Sequence, residues 1–113
     1  MPHTSKKDNS EFPHIHNELM DILQKCMITC IACSKKCIDE GHKVTAALCG
    51  ECGYICNLTV LAISREFETK SQIIKLCGII CKRCWEECKK MDVPHCQECA
   101  KICEDCFEEC YSI

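Results

Sequence analysis

The chain has 113 residues and a formal net charge of −3, and 16 of its residues are cysteine. This length predicts a single domain. Without the cysteines only about a third of the residues would be apolar, which is low for a domain of this size, so the thiols must form the core or hold something that does. No basic tract supports nucleic-acid binding, and no apolar run approaches the roughly 18–20 residues of a membrane span.

The N-terminal segment, residues 1–15, is polar and includes Pro2 and Pro13. We expect it to be flexible, with the folded domain spanning residues 16–113. The segment carries neither the apolar stretch of a secretory signal nor a twin arginine. The sequence therefore favours a cytoplasmic location, provided that Met1 is the natural start.

Four helices are predicted in chain order. Gly41 supplies a stop signal for the first, Thr69 is a candidate N-cap for the third, and Asp92 is one for the fourth, with Pro94 in its first turn. The expected ranges are about 16–39, 44–65, 70–90 and 93–111.

The cysteines recur at helical spacing. Between residues 77 and 110 the steps from one cysteine to the next are 4, 3, 4, 8, 3, 4, 3 and 4, and an earlier segment repeats the steps 4, 3, 4 and then 3, 4. Residues three and four apart lie on one face of an α-helix, so each run forms one row of sulfurs. The four rows are Cys26, Cys30, Cys33 and Cys37; Cys49, Cys52 and Cys56; Cys77, Cys81, Cys84 and Cys88; and Cys96, Cys99, Cys103, Cys106 and Cys110.

This repetition indicates a duplicated helical hairpin. Short connections between four helices favour an all-α, up-down-up-down four-helix bundle. Both hairpin turns then lie at one end, and the four rows converge into a thiol-lined column that leads to that end. The opposite end is expected to be closed by Leu19, Leu23, Val60, Ile63, Ile73 and Ile74.

A second set of apolar residues lies away from the sulfur rows of the first two helices. Outward apolar stripes are typical of surfaces buried against another chain, so we expect a homo-oligomer built through these helices. The residues are Met27, Ile28, Ile31, Tyr54, Leu58 and Leu61.

Several uses of sixteen inward thiols can be weighed. Cysteine as a small hydrophobe explains one or two such residues, not sixteen, and cysteines three or four apart in one helix are poorly placed for disulfides. An iron–sulfur electron-transfer protein would need cluster-binding loops rather than helical steps. A thiol oxidoreductase would place CxxC beside a βαβ pattern, which is missing from the sequence, so we do not expect an enzyme.

Copper(I) and zinc are the remaining metals. A zinc site of four thiolates carries roughly two negative charges, and several such sites in an apolar core would be costly. Soft thiolates select Cu(I), neighbouring ions can share sulfurs, and each Cu⁺ neutralises one thiolate. We therefore favour multiple Cu(I) ions per chain, with a zinc or general thiolate buffer as the alternative. Without metal, burial should keep the thiols protonated.

The segment CGIICKRCWEECKKMDVPHCQECAKICEDCFEEC resembles the second hairpin of the bacterial copper storage proteins, and the resemblance covers about residues 18–112. It implies Cu(I) held by the sixteen cysteines inside the bundle, assembly as a homotetramer, and storage of copper rather than catalysis. Without a leader, the chain is similar to the cytosolic branch of that family. Copper enters its members through an end lined by His or Met, and the corresponding residues here are His42, Met91 and His95.

Overall fold

The computed structural model describes residues 9–113, and its regular elements there are all helical. Each α-helix lies within two residues of its predicted range. A short 3-10 helix, Pro13–Ile15, precedes α1 (Glu18–Asp39), α2 (Lys43–Ser64), α3 (Lys70–Cys88) and α4 (Pro94–Tyr111). Residues 1–8 of the segment expected to be flexible lie outside the described residues.

The helices pack in a closed ring. Each is in contact with the next along the chain, and α4 returns to pack against α1. With connections of three to five residues between consecutive helices, this order produces antiparallel neighbours and confirms the four-helix bundle made of two hairpins. Both hairpin turns, after α1 and after α3, therefore lie at the same end of the molecule.

Two helices end in the same backbone motif. After α1, Gly41 adopts φ +83°, the N–H of Gly41 donates to the carbonyl of Ile38 at 3.1 Å, and that of His42 donates to Cys37 at 2.8 Å. These bonds satisfy helix-end carbonyls in the Schellman arrangement, which explains why a glycine ends α1 as predicted. Helix α2 ends in the same way, but the left-handed position is occupied by Glu66, with φ 55°.

The helix starts differ in their capping. Asn17 caps α1, because its side chain accepts a hydrogen bond from the backbone N–H of Met20 at 2.9 Å. The predicted cap at Asp92 is wrong, since α4 begins after Val93, which is extended and makes no side-chain cap bond. The residue before a proline is driven to extended backbone, so Pro94 fixes the boundary there. Thr69 occupies the cap position of α3, again without a side-chain bond.

An apolar plug closes the end opposite the hairpin turns, as predicted. Leu19, Leu23, Ile63 and Ile74 are buried there. Val60 and Ile73 are partly buried, and Met20, which the sequence analysis did not place, is also buried.

Helix α2 differs from the sequence expectation in one respect. By length and composition it is apolar enough to cross a membrane, whereas no such run was expected. Much of that apolar character comes from core residues, since Cys52, Cys56 and Ala62 are fully buried. Half of the apolar stretch is covered by the rest of the bundle, as is usual for a core helix.

The outward apolar residues of α1 and α2 are exposed, with Ile28 at 65% and Tyr54 at 72% of their maximal accessibility. Ile31, Leu58 and Leu61 are also exposed. Met27 is the exception, since it is partly buried against the core. It directly follows Cys26 and so lies at the edge of the buried face.

Candidate metal centre

All sixteen cysteines face the bundle interior as free thiols. Fifteen are at most 2% exposed, and Cys110 is 7% exposed. The helical rows therefore occupy the core positions that Leu and Ile fill in an ordinary bundle.

The sulfurs approach each other both along and between helices. Along a helix, residues four apart bring Cys77 and Cys81 to an Sγ–Sγ distance of 3.9 Å. The shortest contacts are between helices: Cys30 Sγ lies 3.4 Å from Cys103 Sγ, and Cys52 Sγ lies 3.6 Å from Cys81 Sγ. The sulfurs thus form a continuous column rather than separate clusters.

The column consists of overlapping groups whose ligand atoms lie within 4.8 Å of one another. Neighbouring groups have members in common; for example, Cys26 and Cys52 both belong to two groups. From the apolar plug toward the hairpin turns, five of these groups are Cys26, Cys52, Cys56 and Cys81; Cys26, Cys30, Cys52 and Cys103; Cys30, Cys84, Cys99 and Cys103; Cys33, Cys49, Cys88 and Cys99; and Cys33, Cys37, His95 and Cys96.

The last of these groups lies at the end of the bundle that carries the hairpin turns, and we call it the mouth. His95 Nδ1 is 3.2 Å from Cys33 Sγ and 3.7 Å from Cys96 Sγ, while Cys37 lies 3.7 Å from Cys96. On its other side, His95 Nε2 lies 2.8 Å from Glu40 Oε1. The carboxylate holds the ring with Nδ1 directed at the sulfurs, an arrangement that orients metal-binding histidines in general.

The three residues predicted to admit copper differ in how close they lie to the thiols of the mouth. His95 joins the thiols of the mouth. His42 lies 3.8 Å from Glu40 Oε1, and Met91 is partly buried against the core. Sequence reasoning missed Glu40, whose signal is its position in the α1–α2 turn, three residues after Cys37.

Burial governs the protonation of the outer thiols. It raises the pKa of Cys37 to about 11 and raises the pKa of Cys96 further, assisted by nearby Cys33. Deeper in the column, hydrogen bonds from Cys26 and Cys30 raise the pKa of Cys103, whereas the bond to Cys103 lowers that of Cys26. The pKa values of two thiols that share a proton are expected to shift in opposite directions.

Within the mouth, the pKa shifts of Cys33 and His95 differ from those of Cys37 and Cys96. Hydrogen bonds with Cys49, Cys99 and His95 bring the pKa of Cys33 down to about 6. Desolvation lowers the pKa of His95, but its hydrogen bonds with Cys33 and Glu40 outweigh that effect and raise the pKa above 6.5. A thiolate next to an imidazolium is therefore favoured at the mouth, and a thiolate is the form that binds metals.

Comparison with known proteins agrees with this geometry. A sequence model of the family described as copper storage protein (Csp) matches residues 13–113. The chain is 40% identical over 92 residues to the uncharacterized cysteine-rich protein YhjQ of Bacillus subtilis (strain 168), with 78% of this chain and 85% of that protein covered.

The chain is also similar to a solved structure, that of the Cu(I)-bound copper storage protein BsCsp3. The two share a TM-score of 0.80 and 37% sequence identity, and the match covers 83% of this chain and 92% of the other. With a column of buried thiols, a matching bundle and a family match over nearly all of its length, this chain belongs to the copper storage protein family.

Proposed function

We propose that this chain stores Cu(I) in the cytoplasm by binding many ions to its sixteen thiols inside the bundle. The observation that carries the proposal is the column of buried sulfurs: Sγ–Sγ contacts of 3.4 to 4.0 Å link most of them, and a group within 4.8 Å extends the column through Cys33 to the mouth. Family membership and the similarity to a Cu(I)-bound relative support it.

The sulfur spacing suits two-coordinate Cu(I). Metal–sulfur bonds of about 2.3 Å place the two sulfurs of a nearly linear S–Cu–S unit somewhat more than 4 Å apart. The observed contacts of 3.4 to 4.0 Å reach a linear separation of about 4.6 Å by opening by roughly 0.6–1.2 Å, which rotation about χ1 of both cysteines supplies. Each sulfur has several such neighbours; Cys103, for example, contacts Cys26, Cys30 and Cys52.

Overlap between the groups argues against zinc. A Zn²⁺ ion takes four ligands for itself in a structural site, yet adjacent groups compete for Cys26, Cys30 and Cys99. Sulfurs that bridge two Cu⁺ ions resolve this competition. As copper approaches cysteine in number, the charge of the buried column approaches zero, whereas isolated tetrathiolate zinc sites leave charge in the core.

Copper enters at the mouth in this proposal. His95 offers a nitrogen at the outer edge of a group that continues into the thiols of Cys33 and Cys96. Glu40 orients the ring, and His42, which also approaches Glu40, lies where it can bind an arriving ion first. Met91, in the turn between α3 and α4 at the same end of the bundle, contributes a thioether.

The assembly and the absence of catalysis belong to the proposal as well. The exposed apolar residues of α1 and α2 support a homo-oligomer, a tetramer by family resemblance. Fifteen of the sixteen thiols are at most 2% exposed, which keeps molecular substrates out of the interior of the column and supports storage rather than an enzymatic role.

An anaerobic Cu(I) titration of the fully reduced protein against a chromophoric chelator tests the function. We expect tight uptake of about ten or more ions per chain, since bridging thiolates allow a ratio near one ion per sulfur. Saturation at about four ions, together with equally tight uptake of Zn²⁺, would instead indicate isolated tetrahedral sites and a general thiolate buffer.

A further inference from the structure

The sulfur column also approaches the surface at a second place, far from the mouth. Cys110 is the cysteine with the greatest exposure, and it forms part of the wall of a groove of about 400 Å³ between α3 and the end of α4. Cys110 is fourteen residues after Cys96 on α4, which places it about 21 Å from the mouth at 1.5 Å per residue.

This thiol is connected to the rest of the column. Cys106 and Cys77 lie close enough to Cys110 to raise the pKa of its thiol, and Cys77 Sγ lies 3.9 Å from the sulfurs of both Cys56 and Cys81. An ion at Cys110 is therefore one ligand exchange from the interior.

A glycine keeps the groove open. A Cβ atom at Gly78 would lie 3.2 Å from Cys110 Cβ and 3.8 Å from Tyr111 Cδ1, so any side chain there would fill the groove beside Cys110. Helix α3 therefore lacks a side chain at the point where Cys110 reaches the surface.

The lining of the groove differs from that of the mouth. It contains no His or Met, which would capture an arriving copper ion. Instead, Lys75 is the sole charged side chain among its seven residues, Ser71 adds a hydroxyl, and Ile74 and Tyr111 form apolar walls. The volume lies within the range of small-molecule sites, about 300–1,000 Å³.

From these features we propose that the groove binds a small anionic thiol, which removes Cu(I) from Cys110. This inference rests on the proposed storage function and adds a release site to it. The thiol sulfur bonds to the copper ion as the bond from copper to Cys110 Sγ breaks, and the proton of the incoming thiol passes to Cys110. Copper remains Cu(I), so no oxidant or reductant is required.

Lys75 supplies the selectivity. The chain carries a formal net charge of −3, so without a local cation an anionic thiol would be repelled relative to a neutral one. Faster copper release by an anionic thiol than by a neutral thiol would therefore indicate that Lys75 of this groove binds the anion.

The test measures Cu(I) release from fully loaded protein into excess chromophoric chelator, with glutathione as the anionic probe and β-mercaptoethanol as the neutral probe at equal thiolate concentration. We expect glutathione to accelerate release about tenfold more than β-mercaptoethanol. Gly78→Ala, Lys75→Glu and Cys110→Ser should each remove most of that difference.

Matched controls separate the groove from general effects. Gly50→Ala adds a Cβ that meets only Ser34 Oγ at 3.5 Å, and Lys25→Glu makes the same charge change on α1; both should behave like wild type. Equal acceleration by the two thiols, or full acceleration in Gly78→Ala, overturns the inference. Copper stoichiometry is measured on every variant, so a failure of copper uptake is recognised as a failure of the storage function instead.

Discussion

At His95, protonation and metal binding compete for the same ring nitrogen. Its Nδ1 faces Cys33 at 3.2 Å and its pKa is raised above 6.5. A protonated imidazole has no lone pair on Nδ1 to give to copper. Access of copper to the mouth should therefore improve as His95 loses its proton.

We predict that the rate of Cu(I) loading rises with pH through a midpoint above 6.5, and that His95→Gln slows loading about tenfold and removes this step. Stopped-flow ultraviolet absorbance of the copper–thiolate bands measures the rate. His16→Gln, at an exposed histidine outside the bundle helices, is the control. An unchanged pH profile in His95→Gln would show that the histidine does not take part in loading.

Only some of the residues at the candidate site could be predicted from the sequence. The sixteen cysteines were identified by spacing alone, because a helical row leaves little freedom in which way a side chain faces. Glu40 and Met20 were not, since their roles depend on what another helix brings beside them. His42, Met91 and His95 were all predicted from their positions at the turn end, and the packing of α4 against α1 is what brings His95 to the thiols.

The turn after α2 stores strain at the element scale. Glu66 adopts φ 55°, a left-handed conformation that costs a residue with a side chain about 1 kcal/mol, while the corresponding turn after α1 uses Gly41. Glu66 is therefore a local exception to the glycine preference at helix ends.

Replacing Glu66 with glycine should raise the free energy of unfolding of the apo protein by about 0.5–1 kcal/mol. Urea denaturation followed by circular dichroism at 222 nm is the measurement. Glu68→Gly, in the same connection but without a positive φ, should be neutral or destabilising. A loss of stability in Glu66→Gly would mean that the carboxylate contributes more than the backbone strain costs.

Helix boundaries were predicted to within two residues because their signals are local. A glycine beyond the last helical turn and a proline in the first one restrict the backbone directly. The Asp92 cap failed for the same kind of reason, since the effect of Pro94 on Val93 outweighs the capping preference of Asp92.

At the scale of the whole molecule, α1 and α2 present apolar side chains to solvent. We predict that Ile28→Glu combined with Leu58→Glu converts an oligomer into a monomer, because charges at the centre of an apolar interface are left unpaired. Sedimentation velocity at several concentrations measures this. The matched variant Leu76→Glu with Ile79→Glu replaces similarly exposed residues of α3 and should leave the assembly intact; a wild-type monomer at all concentrations rules the oligomer out.

Copper loading should also displace protons from the column. Since burial raises the pKa of thiols such as Cys37, at about 11, each Cu⁺ that binds such a protonated thiol near neutral pH releases about one proton. Affinity should then tighten as pH rises. A weakly buffered titration with a pH indicator measures the release, and copper uptake without protons would mean that the apo column is already ionised.

The same pKa shift sets the alkaline limit of the apo protein. The folded pKa of Cys37, about 11, lies above the ordinary value of 9.0, so folding favours the protonated thiol. Its contribution to stability is complete below pH 9 and is lost as the pH rises toward 11. Copper-loaded protein should not show this loss, because the metal has already replaced the protons.

The sequence by itself determined the helices, the facing of the four cysteine rows and the bundle architecture. All of these follow from periodicity and local backbone preferences, which act over a few residues. It also indicated a soft metal, because cysteine side chains supply soft thiolate ligands.

Only the tertiary structure decided how the rows interdigitate. The overlapping sulfur groups, the contact from Glu40 through His95 to Cys33, and the groove at Cys110 each join residues from different helices. They depend on helix rotation and axial offset, which are set by side-chain packing across the whole core and leave no local mark on the sequence.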